Sequence, residues 1–147
     1  MNKRREMPTV IQTYQRIKED YTVNAEEVIK SISGNRNTIK TNQIRNIYAL
    51  ILPFFDKLNH GDAIDVESAK RALRKVKIKI AYQIGRDEPD KNGNYRLGIK
   101  PFNDYSNILD LIDVVINSED FINDLKLYCD YFEALVAYHR YYLGDKK

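Results

Sequence analysis

The stretch that decides the fold is RALRKVKIKIAYQIGRD, residues 71–87. Between Val76 and Ile80 apolar and basic residues alternate, which is typical of a half-buried strand. On a helix at about 100° per residue, however, six apolar side chains fall within an arc of roughly 80°. These residues are Val66, Ala69, Leu73, Val76, Ile80 and Ile84. A run of about 20 residues is also far longer than a typical strand of about 5–6, and we therefore predict a helix.

Helical spacing continues towards the N-terminus of this stretch. After a basic N-terminal arm, Thr9–Asp20 has the spacing of a short helix, and Asn24 is placed to cap a second helix that ends at Gly34. Apolar residues then recur at steps of three and four from Thr41 onward. Pro53 lies inside this pattern and is expected to kink or break the helix, because proline lacks an N–H and crowds the preceding turn.

The C-terminal half combines a loop with further helices. Residues 87–100 contain Pro, Asn-Gly and a second Gly and have no period, so we predict a long, mobile loop. Pro101 can start a helix whose apolar face reaches Val115. Ser118 can cap a last helix that ends at Gly144.

Length and composition agree with one globular domain. The chain has 147 residues, of which 43% are hydrophobic and 31% are charged, and this is enough for one core. We predict an all-α fold, a single compact bundle of about five helices over residues 1–147. Within it, residues 1–38 form an N-terminal arm with short helices, and residues 40–146 form the core bundle. Since no apolar run approaches the roughly 20 residues of a membrane span and the single Cys129 cannot form an internal disulfide, we expect a cytoplasmic protein.

The net charge of +3 conceals an asymmetry along the chain. Residues 1–86 hold 17 Lys and Arg against 9 Asp and Glu, a balance of +8, whereas residues 87–147 hold 7 against 12, a balance of −5. Such polarity suits a molecule that offers a positive face to a polyanion. A solvated surface with an uneven distribution of charge explains the pattern equally well.

The helix predicted from residues 71–87 carries a second arc, turned away from the core. It consists of Arg71, Lys75, Lys79, Tyr82 and Arg86. A rigid row of cations can neutralise successive phosphates of a nucleic acid, and a ring among them can stack on a sugar or a base. The alternative is a solvated charged face that serves only solubility.

Residue types that support catalysis occur without the arrangement that catalysis needs. Periodicity places Cys129 near the core, where a lone thiol usually behaves as a small hydrophobic side chain. The phosphate-binding motifs G-x-x-x-x-G-K-S/T and G-x-G-x-x-G are both absent from the sequence. Two pairs of carboxylates at helical spacing are most simply interpreted as solvated surface charges, and metal binding is the less favoured alternative. These pairs are Asp110 with Asp113 and Asp120 with Asp124. We predict no enzymatic activity, no cofactor and no metal.

Tyrosines are concentrated near the C-terminus. The segment YCDYFEALVAYHRYY, residues 128–142, holds five of the eleven. Because not all of them can share the core face of one helix, some are expected at the surface, where tyrosine is enriched in protein–protein contacts. We assign Tyr131, Tyr138, Tyr141 and Tyr142 to a protein interface; padding at the periphery of the bundle is the alternative.

Three stretches together resemble the signature of one family. They are TNQIRNIYALI (41–51), KIKIAYQIGRD (77–87) and YFEALVAYHRYYLGDK (131–146). In order and spacing they resemble the small subunit of type III-A CRISPR interference complexes, and the resemblance covers roughly residues 40–146. Pro53 and the loop 87–100 fit the family pattern less cleanly.

The resemblance implies a non-catalytic, all-helical subunit of an RNA-guided effector in antiviral defence. Its implied partners are the target RNA and guide RNA, the backbone subunits, the large nuclease/polymerase subunit and copies of itself, with no membrane. By motif position it implies phosphate contacts from Arg45, Lys79 and Arg86. The basic neighbours are also RNA-binding candidates. They are Lys40, Lys75, Lys77 and Arg71.

Two other functions compete with RNA binding. A helical protein–protein adaptor would use the tyrosine-rich last helix and keep its basic face for solubility. A metal-dependent nuclease would use the acidic pairs and would cleave RNA in isolation.

Overall fold

The computed structural model describes residues 6–144 and contains, within that range, seven helices and no extended strand. The helices are α1 (Val10–Ile32), α2 (Thr41–Ala49), α3 (Leu52–Asn59), α4 (Val66–Gly85), α5 (Ile99–Ser106), α6 (Ile108–Ile116) and α7 (Phe121–Leu143). The all-α prediction is confirmed. The seven helices slightly exceed the predicted number of about five, and the break at Asn107 is one that the sequence did not indicate. The first residues of the predicted basic arm, 1–5, lie outside the described range.

Helix α4 is the element predicted from residues 71–87. It begins after Asp65, whose Oδ2 accepts a hydrogen bond from Ser68 Oγ at 2.7 Å. Its buried side chains recur at steps of three and four, as the helical alignment requires. They are Leu73, Val76, Ile80 and Ile84. The helical prediction is confirmed, and the alternation of apolar and basic residues arises where the core face passes between two basic flanks.

Helix α1 is interrupted at Asp20, which has extended backbone angles (φ −162°, ψ 98°). The Asp20 carboxylate accepts hydrogen bonds from Thr22 N at 3.0 Å and Val23 N at 3.4 Å, as an N-cap does. The prediction that Asn24 caps this segment is therefore wrong. Asn24 is instead buried, and its Nδ2 donates to the Tyr131 hydroxyl at 3.2 Å.

Two further breaks have different causes. The first separates α2 from α3 just before Pro53, as predicted. The second separates α5 from α6 at Asn107, where a continuous helix was expected. Asn107 adopts the left-handed conformation (φ 59°), and its buried Nδ2 donates to Pro8 O at 3.1 Å and to Thr13 Oγ1 at 2.8 Å. Contacts with the start of α1 therefore override the local helical period.

The segment between α4 and α5 is a loop, as predicted, and it is held by hydrogen bonds to the Asp87 carboxylate. Asp87 is 5% exposed. Its Oδ1 accepts from Leu97 N at 2.7 Å and its Oδ2 accepts from Lys100 N at 3.0 Å. Between these anchors, Pro89 and Tyr95 form an isolated antiparallel bridge. One buried carboxylate thus closes the loop on itself.

Gly98 ends this loop at a point where two backbones meet. Its φ is +72°, and a Cβ added to it would lie 2.4 Å from both Ile39 N and Thr38 C. Only glycine satisfies both the backbone angle and the close approach. This contact fixes the start of α5 against the segment that precedes α2.

The two longest helices, α1 and α7, pack along each other in the same direction. Tyr14 donates a hydrogen bond to Asp124 Oδ2 at 2.7 Å near their starts, and Tyr142 donates to Glu26 Oε2 at 2.7 Å near their ends. A single cluster of buried apolar side chains draws on all seven helices. Within residues 6–144, no helix is both long enough and apolar enough to cross a bilayer.

Candidate nucleic-acid-binding surface

The solvent side of α4 presents one continuous positive strip, which we call the basic face. It is formed by Arg71, Lys75, Lys79, Tyr82 and Arg86, all of which are exposed. Tyr82 is 69% exposed. The strip extends over about 22 Å at 1.5 Å per residue. The structure therefore brings together the residues that the helical alignment assigned to this arc.

The cations of the basic face are available to a ligand. Among residues 6–144, no salt bridge joins any of them to a carboxylate. Arg71 Nη2 donates to Ser68 Oγ at 3.2 Å, which leaves its remaining donors free to bind. Asp65 at the start of α4 interacts electrostatically with Arg71. A row of exposed cations outside salt bridges produces a positive potential that reaches into solvent.

Lys77 lies on a different flank of α4. Its Nζ is 2.6 Å from Asp113 Oδ2 on α6, and the two side chains are 35% and 52% exposed. This ion pair links α4 to α6 across the surface. Lys77 is therefore separated from the basic face and engaged within the molecule.

Arg45 lies on α2, and Lys40 is the N-cap of that helix. Both side chains are exposed. The Lys40 N–H donates to Gln43 Oε1 at 2.9 Å, which starts the helix. Residues of α2 and α4, including Asn46 and Lys79, line a common groove, so α2 borders the basic face on this side.

Sequence reasoning missed this groove, which has a volume of about 460 Å³. Asn46, Ile47 and Leu50 line it from α2 and the residue after it, and Ile78, Lys79, Tyr82 and Gln83 line it from α4. Ile78 is 70% exposed. Its position outside the apolar arc of α4 is the signal that could have indicated an apolar surface here.

The four tyrosines assigned to a protein interface have different environments. Tyr131 is fully buried; its hydroxyl donates to Ser106 O at 2.9 Å and accepts from Asn24 Nδ2. Its assignment to an exposed interface is wrong, because a hydroxyl with buried partners lets tyrosine enter the core. Tyr141 is 79% exposed and Tyr142 is 38% exposed. Tyr138 is half-buried and stacks on Tyr142, with ring centroids 6.4 Å apart.

Three of the four carboxylates in the predicted acidic pairs contact other side chains of the protein and have structural roles. Asp113 pairs with Lys77. Asp124 accepts the Tyr14 hydrogen bond, which raises the pKa of Tyr14 to about 12. Asp120 Oδ2 accepts from Asn123 Nδ2 at 2.8 Å. In the described part of the chain, no group of three or more His, Cys, Asp or Glu side chains is arranged to hold a metal ion.

Cys129 is fully buried, and burial raises the pKa of its thiol to about 12. Because the thiolate is the reactive form, we expect no reaction with Ellman's reagent at pH 8 in the native protein and one thiol equivalent after addition of denaturant. The unfolded chain provides the internal control, since Cys129 is the single cysteine. Rapid labelling of the native protein would show that the thiol is accessible and would contradict the packing described above.

Comparison with known proteins supplies the family. The family model described as Csm2 Type III-A matches residues 16–145. A protein of Enterococcus italicus named CRISPR system Cms protein Csm2 is 34% identical over 113 residues, covering 74% of this chain and 72% of the relative. A protein of Mycobacterium tuberculosis with the same name is 26% identical over 128 residues, covering 85% and 93%. The resemblance carried by the three sequence motifs is thereby confirmed, and the chain belongs to the Csm2 Type III-A family.

Proposed function

We propose that the chain is a non-catalytic small subunit of a type III-A CRISPR effector and that it holds RNA by its sugar–phosphate backbone. The observation that carries the proposal is the basic face, which has four exposed cations and a tyrosine on one side of a single helix. None of these four cations forms a salt bridge within residues 6–144. Buried Cys129 and the structural carboxylates support the absence of catalysis.

The spacing of the cations suits a polyanion with a regular repeat. Arg71, Lys75 and Lys79 are four residues apart, or about 6 Å along the helix axis, and Arg86 extends the row beyond Tyr82. Contacts of this kind are independent of base sequence. In an RNA-guided complex base pairing supplies the specificity, so a subunit that grips only the backbone is sufficient.

The remaining surfaces are proposed to contact the other components in the cytoplasm. We expect the target RNA and guide RNA on the basic face, with exposed Arg45 and Lys40 of α2 and its N-cap as further candidate contacts. Tyr138, Tyr141 and Tyr142, at the end of α7, are candidates for contacts with the backbone subunits, the large nuclease/polymerase subunit or further copies of this chain. Exposed Tyr141 also supports the second candidate, an adaptor that binds protein alone.

Reversing two charges of the basic face tests the proposal. In the assembled complex, Lys79→Glu with Arg86→Glu is expected to weaken binding of complementary RNA by at least roughly 15- to 30-fold at physiological salt. The salt dependence should also become shallower, since about two phosphate contacts are lost. Filter binding at several salt concentrations measures both quantities, and circular dichroism checks that the helices remain.

A matched variant separates the site from the overall charge. Lys57→Glu with Lys126→Glu changes the net charge by the same amount on exposed positions of α3 and α7. This control should retain most of the RNA affinity and the original salt dependence. Equal losses of RNA affinity in both variants would show that net charge, and not the basic face, determines binding. Unchanged RNA affinity in the Lys79/Arg86 variant would favour the protein–protein adaptor.

A further inference from the structure

The groove between α2 and α4 opens directly beside the basic face. Lys79 and Tyr82 belong to both, because each lines the groove and also lies on the exposed row of α4. The groove volume of about 460 Å³ is within the range of small-ligand pockets, about 300–1,000 Å³. Its position places it where a backbone bound by the cations would present a sugar and a base.

The lining of the groove combines apolar walls with a few polar groups. Ile47 is buried and forms the base, whereas Ile78 and Tyr82 are 70% and 69% exposed and form the outer wall on α4. Asn46 and Gln83 contribute side-chain amides, one from each helix. Among residues 6–144, no carboxylate lines the groove.

These features match the requirements of an unstacked nucleobase. Single-stranded bases are recognised by stacking on aromatic rings and by hydrogen bonds to their edges. Tyr82 provides the ring, the amides of Asn46 and Gln83 provide donors and acceptors, and Lys79 provides charge for the adjoining phosphate. The absence of carboxylates from the lining favours an anionic ligand over a basic peptide.

We propose that this groove accepts one unstacked base of the bound RNA, so that each copy of the chain grips the backbone and a base together. The inference rests on the proposed function, since the base reaches the groove from RNA held on the basic face. Stacking tolerates any base because every base has a π-face. The groove therefore adds affinity with little sequence preference.

Removal of the ring tests the groove in the assembled complex. Tyr82→Ala is expected to weaken binding of complementary RNA by about 5- to 150-fold, which is the effect of one lost base–aromatic stack. Tyr82→Phe keeps the ring and should bind within about 2-fold of the unaltered complex. Both variants should keep the original salt dependence, because neither removes a phosphate contact.

RNA carrying a single abasic nucleotide, scanned along the strand, identifies the occupant. At paired positions an abasic nucleotide should weaken binding to both complexes, because a base pair is lost. At positions that recur once per copy, it should weaken binding to the unaltered complex but not to the Tyr82→Ala complex. If Tyr82→Ala instead prevents the chain from joining the complex, the groove binds a protein side chain and the proposal is overturned. An unchanged affinity for every RNA also overturns it, and leaves the proposed function intact if the Lys79/Arg86 variant still loses its salt-dependent binding.

Discussion

Replacing Gly98 with alanine is expected to lower the free energy of unfolding by about 3 kcal/mol or more. The new Cβ would lie 2.4 Å from Ile39 N and from Thr38 C, and both are backbone atoms that cannot rotate away. The positive φ of +72° adds strain for any residue with a side chain. To relieve the overlap, the start of α5 must move away from the segment before α2, and this disturbs the His139 Nε2 contact with Ile39 O at 2.6 Å.

Gly93 offers a matched control within the same loop. Its φ is +82°, but an added Cβ there meets no atom within 4 Å. Gly93→Ala should therefore cost only the backbone strain, about 1 kcal/mol. Urea unfolding followed by circular dichroism measures both variants. Similar losses for the two glycines would show that the close approach at Gly98 contributes nothing to stability.

Asn107→Ala is expected to lower the free energy of unfolding by about 3 kcal/mol. The substitution removes the buried amide that donates to Pro8 O and Thr13 Oγ1, and it leaves these acceptors without that partner. It also forces alanine into a left-handed conformation at φ 59°. Since Asn107 joins the α5–α6 turn to the start of α1, the loss should be accompanied by increased hydrogen exchange in the first turns of α1.

Asn107→Gly separates the two causes. Glycine adopts the left-handed conformation without strain but also lacks the amide. It should therefore be more stable than the alanine variant by about 1 kcal/mol and still be less stable than the unaltered protein. Thermal unfolding in parallel with the urea series gives both differences. If the glycine variant is as stable as the unaltered protein, the hydrogen bonds of Asn107 do not contribute to the free energy of unfolding.

Helical class and the core face of α4 could be predicted from the sequence, because both depend on a period repeated over many residues. The breaks at Asp20 and Asn107 could not. Each depends on hydrogen bonds that a linear pattern does not contain, from the Asp20 carboxylate to the following N–H groups and from Asn107 to the start of α1. The same reason explains the loop, where the buried Asp87 carboxylate orders residues that composition alone describes as irregular.

Only part of the candidate site could likewise be predicted from the sequence. Helical geometry alone placed Arg71, Lys75, Lys79 and Arg86 on one exposed side, since all four belong to one helix. It did not place Lys77 beside Asp113, because that pair joins residues 36 apart in the chain. It also placed Tyr131 in the wrong environment, since burial of a tyrosine depends on partners such as Ser106 O that lie on another helix.

The pairing of the first long helix with the last has a consequence for biosynthesis. Tyr14 and its partner Asp124 are 110 residues apart, so at about 5–20 residues per second the ribosome needs roughly 5–20 s to supply the second after the first. Until α7 has emerged, the apolar face of α1 lacks the surface that covers it. A prematurely terminated chain therefore cannot close its core and becomes a substrate for proteases or chaperones. Closure of the core over α1 therefore depends on the last helix to be synthesised.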